Sequence, residues 1–186
     1  MNLKKLAREN KSALLRTLLI FTMIVLAAAL RLAPHPWNFT PVGAIALFSG
    51  AMVRDRRLAF LFPGLVMFAT DAITSFNKLT PLVYGSFLIS VLIGRFLNQK
   101  RSILRIGGAT LLGALQFFII TNFGVWAFLN SYPRTGAGLL TCYIAGVPLF
   151  WNTLAGDALY ATLLFGGFFL AERFAVRLRP STAPNL

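Results

Sequence analysis

RLAPHPWNFTPVGAIALFSG, residues 31–50, joins two apolar runs through a link that holds Pro34, Pro36 and Pro41, the only histidine (His35), Trp37 and Asn38. Proline has no amide proton and drives the residue before it out of the helical region, so this link is stiff and extended. A stiff loop beside a membrane boundary can present His35, Trp37 and Asn38 to a ligand, or it can simply fix the angle between two helices. The loop residues alone leave both readings open.

Working outward, the composition settles the class. Hydrophobic residues make up 57% of the 186 and charged residues 12%, with mean hydropathy +0.72. Soluble domains carry about a quarter charged residues, so this is an integral membrane protein with room for one domain. The net charge of +13 would suggest nucleic acid in a soluble protein. Here the basic residues fall in the gaps between apolar runs, where the positive-inside rule accounts for them and a nucleic-acid partner is not implied. The lipid bilayer is the partner that composition requires. A single cysteine, Cys142, excludes an intrachain disulfide, and one His with one Cys cannot build a His/Cys metal cage.

Residues 1–16 form a basic leader, and the first apolar run is Thr17–Leu30. Its Ala27-Ala28-Ala29 resembles a signal-peptidase site, but the apolar pattern continues through Leu32-Ala33, so the reading is a retained helix. The second run, Pro41–Val53, would reach only about 20 Å, against about 30 Å of hydrocarbon. It must therefore be sheltered by neighbouring helices or lengthened by Asn38–Thr40, and its Ala46-x-x-x-Gly50 allows close helix approach. Leu58–Phe76, Pro81–Leu97 and Ile106–Leu129 follow as the third, fourth and fifth spans. Pro148 divides the remaining apolar stretch into a short interfacial or re-entrant helix, Leu139–Val147, and a sixth span, Phe150–Leu170. The expected architecture is all-α, with six transmembrane helices in one domain over 17–173 and a tail over 174–186. With that topology, fifteen Lys and Arg fall on one side of the membrane, and Arg31, Lys78 and Arg134 on the other. The imbalance places both termini in the cytoplasm.

Two of the five acidic residues, Asp71 and Asp157, lie inside apolar spans. A carboxylate there is costly and normally faces a cavity or a partner. Asp71 shares a helix face with Thr74 and Ser75, and Asp157 with Thr153 and Tyr160; Asn122 and Trp126 form a further i, i+4 pair. A few polar groups converging in an apolar wall suit a small-molecule pocket. The residues proposed to bind are Arg31, His35, Trp37 and Asn38 at the roof and rim, with Asp71, Tyr84, Asn122, Trp126, Asn152 and Asp157 as the wall. Each acid has an alternative role as an interhelical partner, Asp71 or Asp157 pairing with Arg31 or with a hydroxyl.

The string from Arg31 to Phe48, together with Thr121-Asn122-Phe123-Gly124-Val125-Trp126 and the Asn152-Thr153-Leu154-Ala155-Gly156-Asp157 core of Cys142–Gly167, resembles a DUF6580-type family of small bacterial membrane proteins of unknown function. That family is similar in turn to the substrate-binding S components of energy-coupling-factor (ECF) vitamin transporters. The resemblance covers roughly residues 25–170 and implies a six-helix S-component-like bundle in the bacterial inner membrane. It also implies a vitamin-like solute as substrate, and a coupling protein and ATPases as partners. In S components, small residues on the first span meet the coupling protein; Ala29-x-x-x-Ala33 has that spacing but lies toward the outer end of its span.

No G-x-x-x-x-G-K-[ST] loop, H-E-x-x-H or G-x-S-x-G motif occurs, so ATP hydrolysis by that machinery is excluded and no cofactor is implied. The expectation is a non-enzymatic substrate-binding subunit. Two other classes compete with it: a membrane enzyme using Asp71 and Asp157 as an acid/base pair, and a structural or assembly protein with no ligand.

Overall fold

Six helices follow one another: α1 Leu3–Leu30, α2 Val42–Met52, α3 Arg56–Thr74, α4 Thr80–Phe96, α5 Ile103–Phe128 and α6 Gly136–Arg177. The computed structural model describes residues 3–97 and 102–177. The remainder of the basic linker at 98–101, the tail beyond 177, and the side chains of the leader up to residue 12, of Thr74 and of residues 175–177 lie outside the described residues.

The shortest helix is the centre of the fold. At 11 residues α2 reaches about 16 Å, and every residue in it except Gly43 is buried. It packs against all five other helices, which shelter a segment too short to meet lipid at both ends. Its small residues make this possible. A Cβ on Gly50 would fall on the Val91 carbonyl oxygen of α4, and one on Gly94 would fall on the Leu47 carbonyl oxygen of α2. The two backbones therefore touch directly, the arrangement small residues permit in membranes. On its other sides Ser49 Oγ donates to the Ala59 carbonyl of α3 at 2.8 Å, and Phe48 sits edge-on to Phe165 and Phe168 of α6, with centroids 5.2 and 5.9 Å away.

Polar side chains begin the neighbouring helices where the sequence supplies them. Asp55 accepts the Leu58 amide at 3.0 Å to cap α3, and Ser102 accepts the Arg105 amide at 3.3 Å to cap α5. Midway along, Gln116 Nε2 of α5 lies 2.9 Å from the Ser86 carbonyl and 3.0 Å from Ser90 Oγ of α4. Arg16 of α1 pairs with Glu172 of α6 at 3.1 Å.

α6 corrects the sequence expectation. Leu139–Val147 is not a separate re-entrant helix; it belongs to one continuous helix of 42 residues that passes through Pro148. Proline removes one backbone hydrogen bond and crowds the preceding turn. In a membrane helix that loss is compensated locally, and Pro148 lies on an exposed face. The expected short helix and sixth span are thus one element, and the described residues form six helices in place of six spans plus a short extra one. Among the described residues, three helical segments are long and apolar enough to cross a membrane alone: Ala13–Leu30, Ile103–Phe128 and Gly136–Phe174. α2 and α4 are shorter apolar helices.

Candidate functional site

The α1–α2 loop lies across α6. Asn152 Nδ2 donates to the Trp37 carbonyl at 3.0 Å, and a Cβ on Gly156 would stand 3.2 Å from Phe39 Cα, so the glycine lets the loop backbone rest on the helix. Phe39 also meets Tyr160 with ring centroids 6.1 Å apart. Beneath this loop a cavity of about 330 Å³ opens between α2, α3, α4, α5 and α6. That is the size of a pocket for a small molecule.

Its rim is polar. Arg31, Asn38 and Thr40 come from the loop side, Ser75 and Asn77 from the α3–α4 link, and Thr80 from the start of α4. Deeper in, the wall is Val42 and Gly43 of α2, Val83, Phe87 and Ser90 of α4, Gly113 and Phe117 of α5, and Thr153 with Asp157 of α6. Phe87 and Phe117 stack, with centroids 5.2 Å apart and planes at 29°. Two non-glycine residues among those described have positive φ, Asn38 at 63° and Ser75 at 97°, and both line this cavity. Asparagine tolerates the left-handed region; serine there is strained, and such strain clusters at ligand sites.

The two intramembrane acids are held in different ways. Asp71 of α3 is buried but fully partnered. Arg31 Nη2 donates to its Oδ1 at 2.6 Å, Tyr84 Oη donates to its Oδ2 at 2.9 Å, and the other Arg31 nitrogen, Nη1, reaches the Thr70 hydroxyl. Asp157 of α6 has no such cation. Its Oδ1 accepts the Ala44 amide at 3.0 Å, one of the first amides of α2, whose own N-cap, Pro41, makes no side-chain capping bond. The carboxylate thus caps α2 from another helix, where the positive end of the helix dipole favours a negative charge. It lies so close to Gly43 that a Cβ there would meet both carboxylate oxygens.

Of the ten residues proposed from sequence, Arg31, Asn38, Asp71 and Asp157 line the cavity. Tyr84 stands behind Asp71. Trp37 contributes its carbonyl while the residue is 83% exposed, and Asn152 spends its amide fixing that carbonyl. His35 lies within the loop, its ring nitrogens 3.0 Å from the Pro36 carbonyl and 3.1 Å from the Arg31 carbonyl. Asn122 and Trp126 sit elsewhere, Asn122 of α5 against α6 and Trp126 against the α5–α6 link. The Asn122 carbonyl accepts from Cys142 Sγ at 3.4 Å, Trp126 Nε1 donates to the Pro133 carbonyl at 2.9 Å, and Arg134 caps the Trp126 carbonyl. Their i, i+4 spacing puts them on one helix face, but that face meets α6 and the α5–α6 link, away from the cavity. Sequence reasoning missed Phe87, Phe117 and Ser90 in the wall and Thr80 at the rim. Thr153 had a signal, its place one turn before Asp157; the phenylalanines had none, being two of eighteen. Among the described residues, no group of three or more His, Cys, Asp or Glu comes together to hold a metal ion.

A family of unknown function, DUF6580, matches residues 11–181. The chain belongs to that family. The DUF6580 match contains every residue of the cavity, from Arg31 to Asp157. No curated protein and no solved structure matches the chain.

Proposed function

We propose that this DUF6580 chain is the substrate-binding subunit of an uptake system for a small vitamin-like solute, with energy supplied by ECF-type coupling and ATPase partners. The observation that carries the reading is the cavity of about 330 Å³ lined by Arg31, Asp71 and Asp157 inside an otherwise apolar bundle. Charged groups at such a place are tolerable where water or a polar ligand reaches them. Strain at Asn38 and Ser75 on the rim fits a mouth shaped for a ligand rather than for packing alone. The acid/base alternative fits less well, because Asp71 is already held by Arg31 and Tyr84 and has no free role as a proton carrier.

In this reading the six helices form an S-component-like bundle of the bacterial inner membrane, with the cavity facing outward and both termini in the cytoplasm. The fifteen-to-three division of basic residues supports that orientation. The test is to extract the purified protein with solvent and identify small molecules by mass spectrometry, then to measure uptake of that molecule in cells with and without the gene. One stoichiometric molecule whose uptake depends on the gene is the expected result. A protein that carries nothing and alters no uptake would overturn the proposal.

A further inference from the structure

We infer that the cavity accepts a small organic cation, with an ammonium-type group against Asp157 and its apolar part against Phe87 and Phe117. This rests on the solute-capture reading and names the chemical class of the solute.

The argument begins with charge. Three ionisable side chains line the cavity, Arg31, Asp71 and Asp157. Arg31 and Asp71 neutralise each other at 2.6 Å, and the second nitrogen of Arg31 is engaged by Thr70. Asp157 remains. It is 5% exposed, and among the described residues its one hydrogen-bond donor is the Ala44 amide, which serves Oδ1. The end of a helix offers roughly half a positive charge, not a whole one. A carboxylate in surroundings of low polarity costs several kcal/mol unless paired. Asp157 is therefore the one lining acid left without a cation, beside open space, and a cationic partner would relieve that cost.

An anionic ligand would find no free cation among the described lining residues to bind it. A neutral ligand would leave Asp157 as it was. A bare metal ion would find too few oxygen ligands, since hard cations take six or so and no cluster of carboxylates is present among the described residues. An organic cation uses both halves of the wall. Its charge pairs with Asp157, and its apolar body lies against Phe87 and Phe117. Asn38, Thr40 and Asn77 at the rim are left to hydrogen-bond whatever polar substituents face the mouth.

The experiment compares three probes of one shape and different charge, benzylamine, benzyl alcohol and benzoate, on the full chain purified in detergent. Thermal unfolding is followed against probe concentration, since a ligand of the folded state raises Tm by mass action. Benzylamine should bind roughly tenfold or more tightly than benzyl alcohol, and benzoate should give no shift. Asp157→Asn keeps an acceptor for Ala44 and should lose the preference for benzylamine. Thr153→Lys places an ammonium one turn before Asp157 on the same face, so it should fold and no longer respond to benzylamine. Equal response to all three probes, preference for benzoate, or no response to any would overturn the inference. So would an Asp157→Asn protein that binds benzylamine as the parent does. If both variants fail to fold, the charge series on the parent decides alone. A neutral or anionic molecule found on the purified protein would refute the cation and leave solute capture standing. A protein that prefers benzylamine but carries and imports nothing would refute capture and leave the cation site standing.

Discussion

Gly43 and Asp157 are in such close contact that position 43 has no room for a side chain: a Cβ there would meet both oxygens of the carboxylate. In an open helix, Gly→Ala adds up to about 1 kcal/mol of stability. Here Gly43→Ala must push Asp157 off the Ala44 amide, and loss of a helix cap costs about 1 kcal/mol. Gly43→Ala should therefore lower Tm and weaken binding of the small molecule. A rise in Tm would show that the carboxylate can move aside freely.

Arg31 and Asp71 bind each other with side chains 19% and 10% exposed. Removing one partner of a fully buried pair costs about 3–5 kcal/mol; this pair is partly wetted, and a loss of about 2 kcal/mol is expected for Asp71→Asn or Arg31→Leu. The double variant Arg31→Leu/Asp71→Leu should recover most of that loss, because no uncompensated charge remains. A double-mutant cycle by thermal unfolding measures the coupling. Strictly additive losses would mean that the two side chains act independently.

Gly50 and Gly94 are where α2 and α4 touch. Both would place a Cβ on a carbonyl oxygen of the facing backbone, and a backbone cannot rotate away as a side chain can. Gly50→Ala and Gly94→Ala should each cost about 1–3 kcal/mol through overpacking. Gly85 is the control, because a methyl group there would have nothing within 4 Å, and Gly85→Ala should leave Tm unchanged or slightly higher. If Gly50→Ala is as stable as Gly85→Ala, the two helices can separate without penalty.

Orientation can be read by labelling single cysteines on a Cys142→Ser background. Reagent confined to the outside should reach positions 78 and 134 and fail to reach 56 or 173. Labelling of 78 or 134 only from the inside would invert the topology.

The all-helical membrane class and the shelter of the short second helix are legible in the sequence for physical reasons. Long apolar runs and the proline-rich link are local signals, and the shortness of α2 forces it to be sheltered wherever it sits. Asp71 and Asp157 stand out because charge inside an apolar run is expensive. What pairs with what is less accessible. Either acid has the same claim on Arg31, and only the placement of α3 beside the end of α1 gives it to Asp71. Asn122 and Trp126 do not join the wall, because helical spacing tells which residues share a face, not which neighbour that face meets. Pro148 looks like a break because its penalty in water is large; on an exposed face of a membrane helix it does not end α6.

The bond from Asp157 to the Ala44 amide joins residues 113 apart, and it sets a clock on biosynthesis. A ribosome adding about 5–20 residues per second needs roughly 6–23 s to make the intervening chain. Through that interval α2 has entered the nascent protein with its leading amides lacking the acceptor that will later serve them. The central helix is thus among the first segments made and among the last completed, so release of the C-terminal segment, not emergence of the signature loop, is the moment at which the bundle can lock.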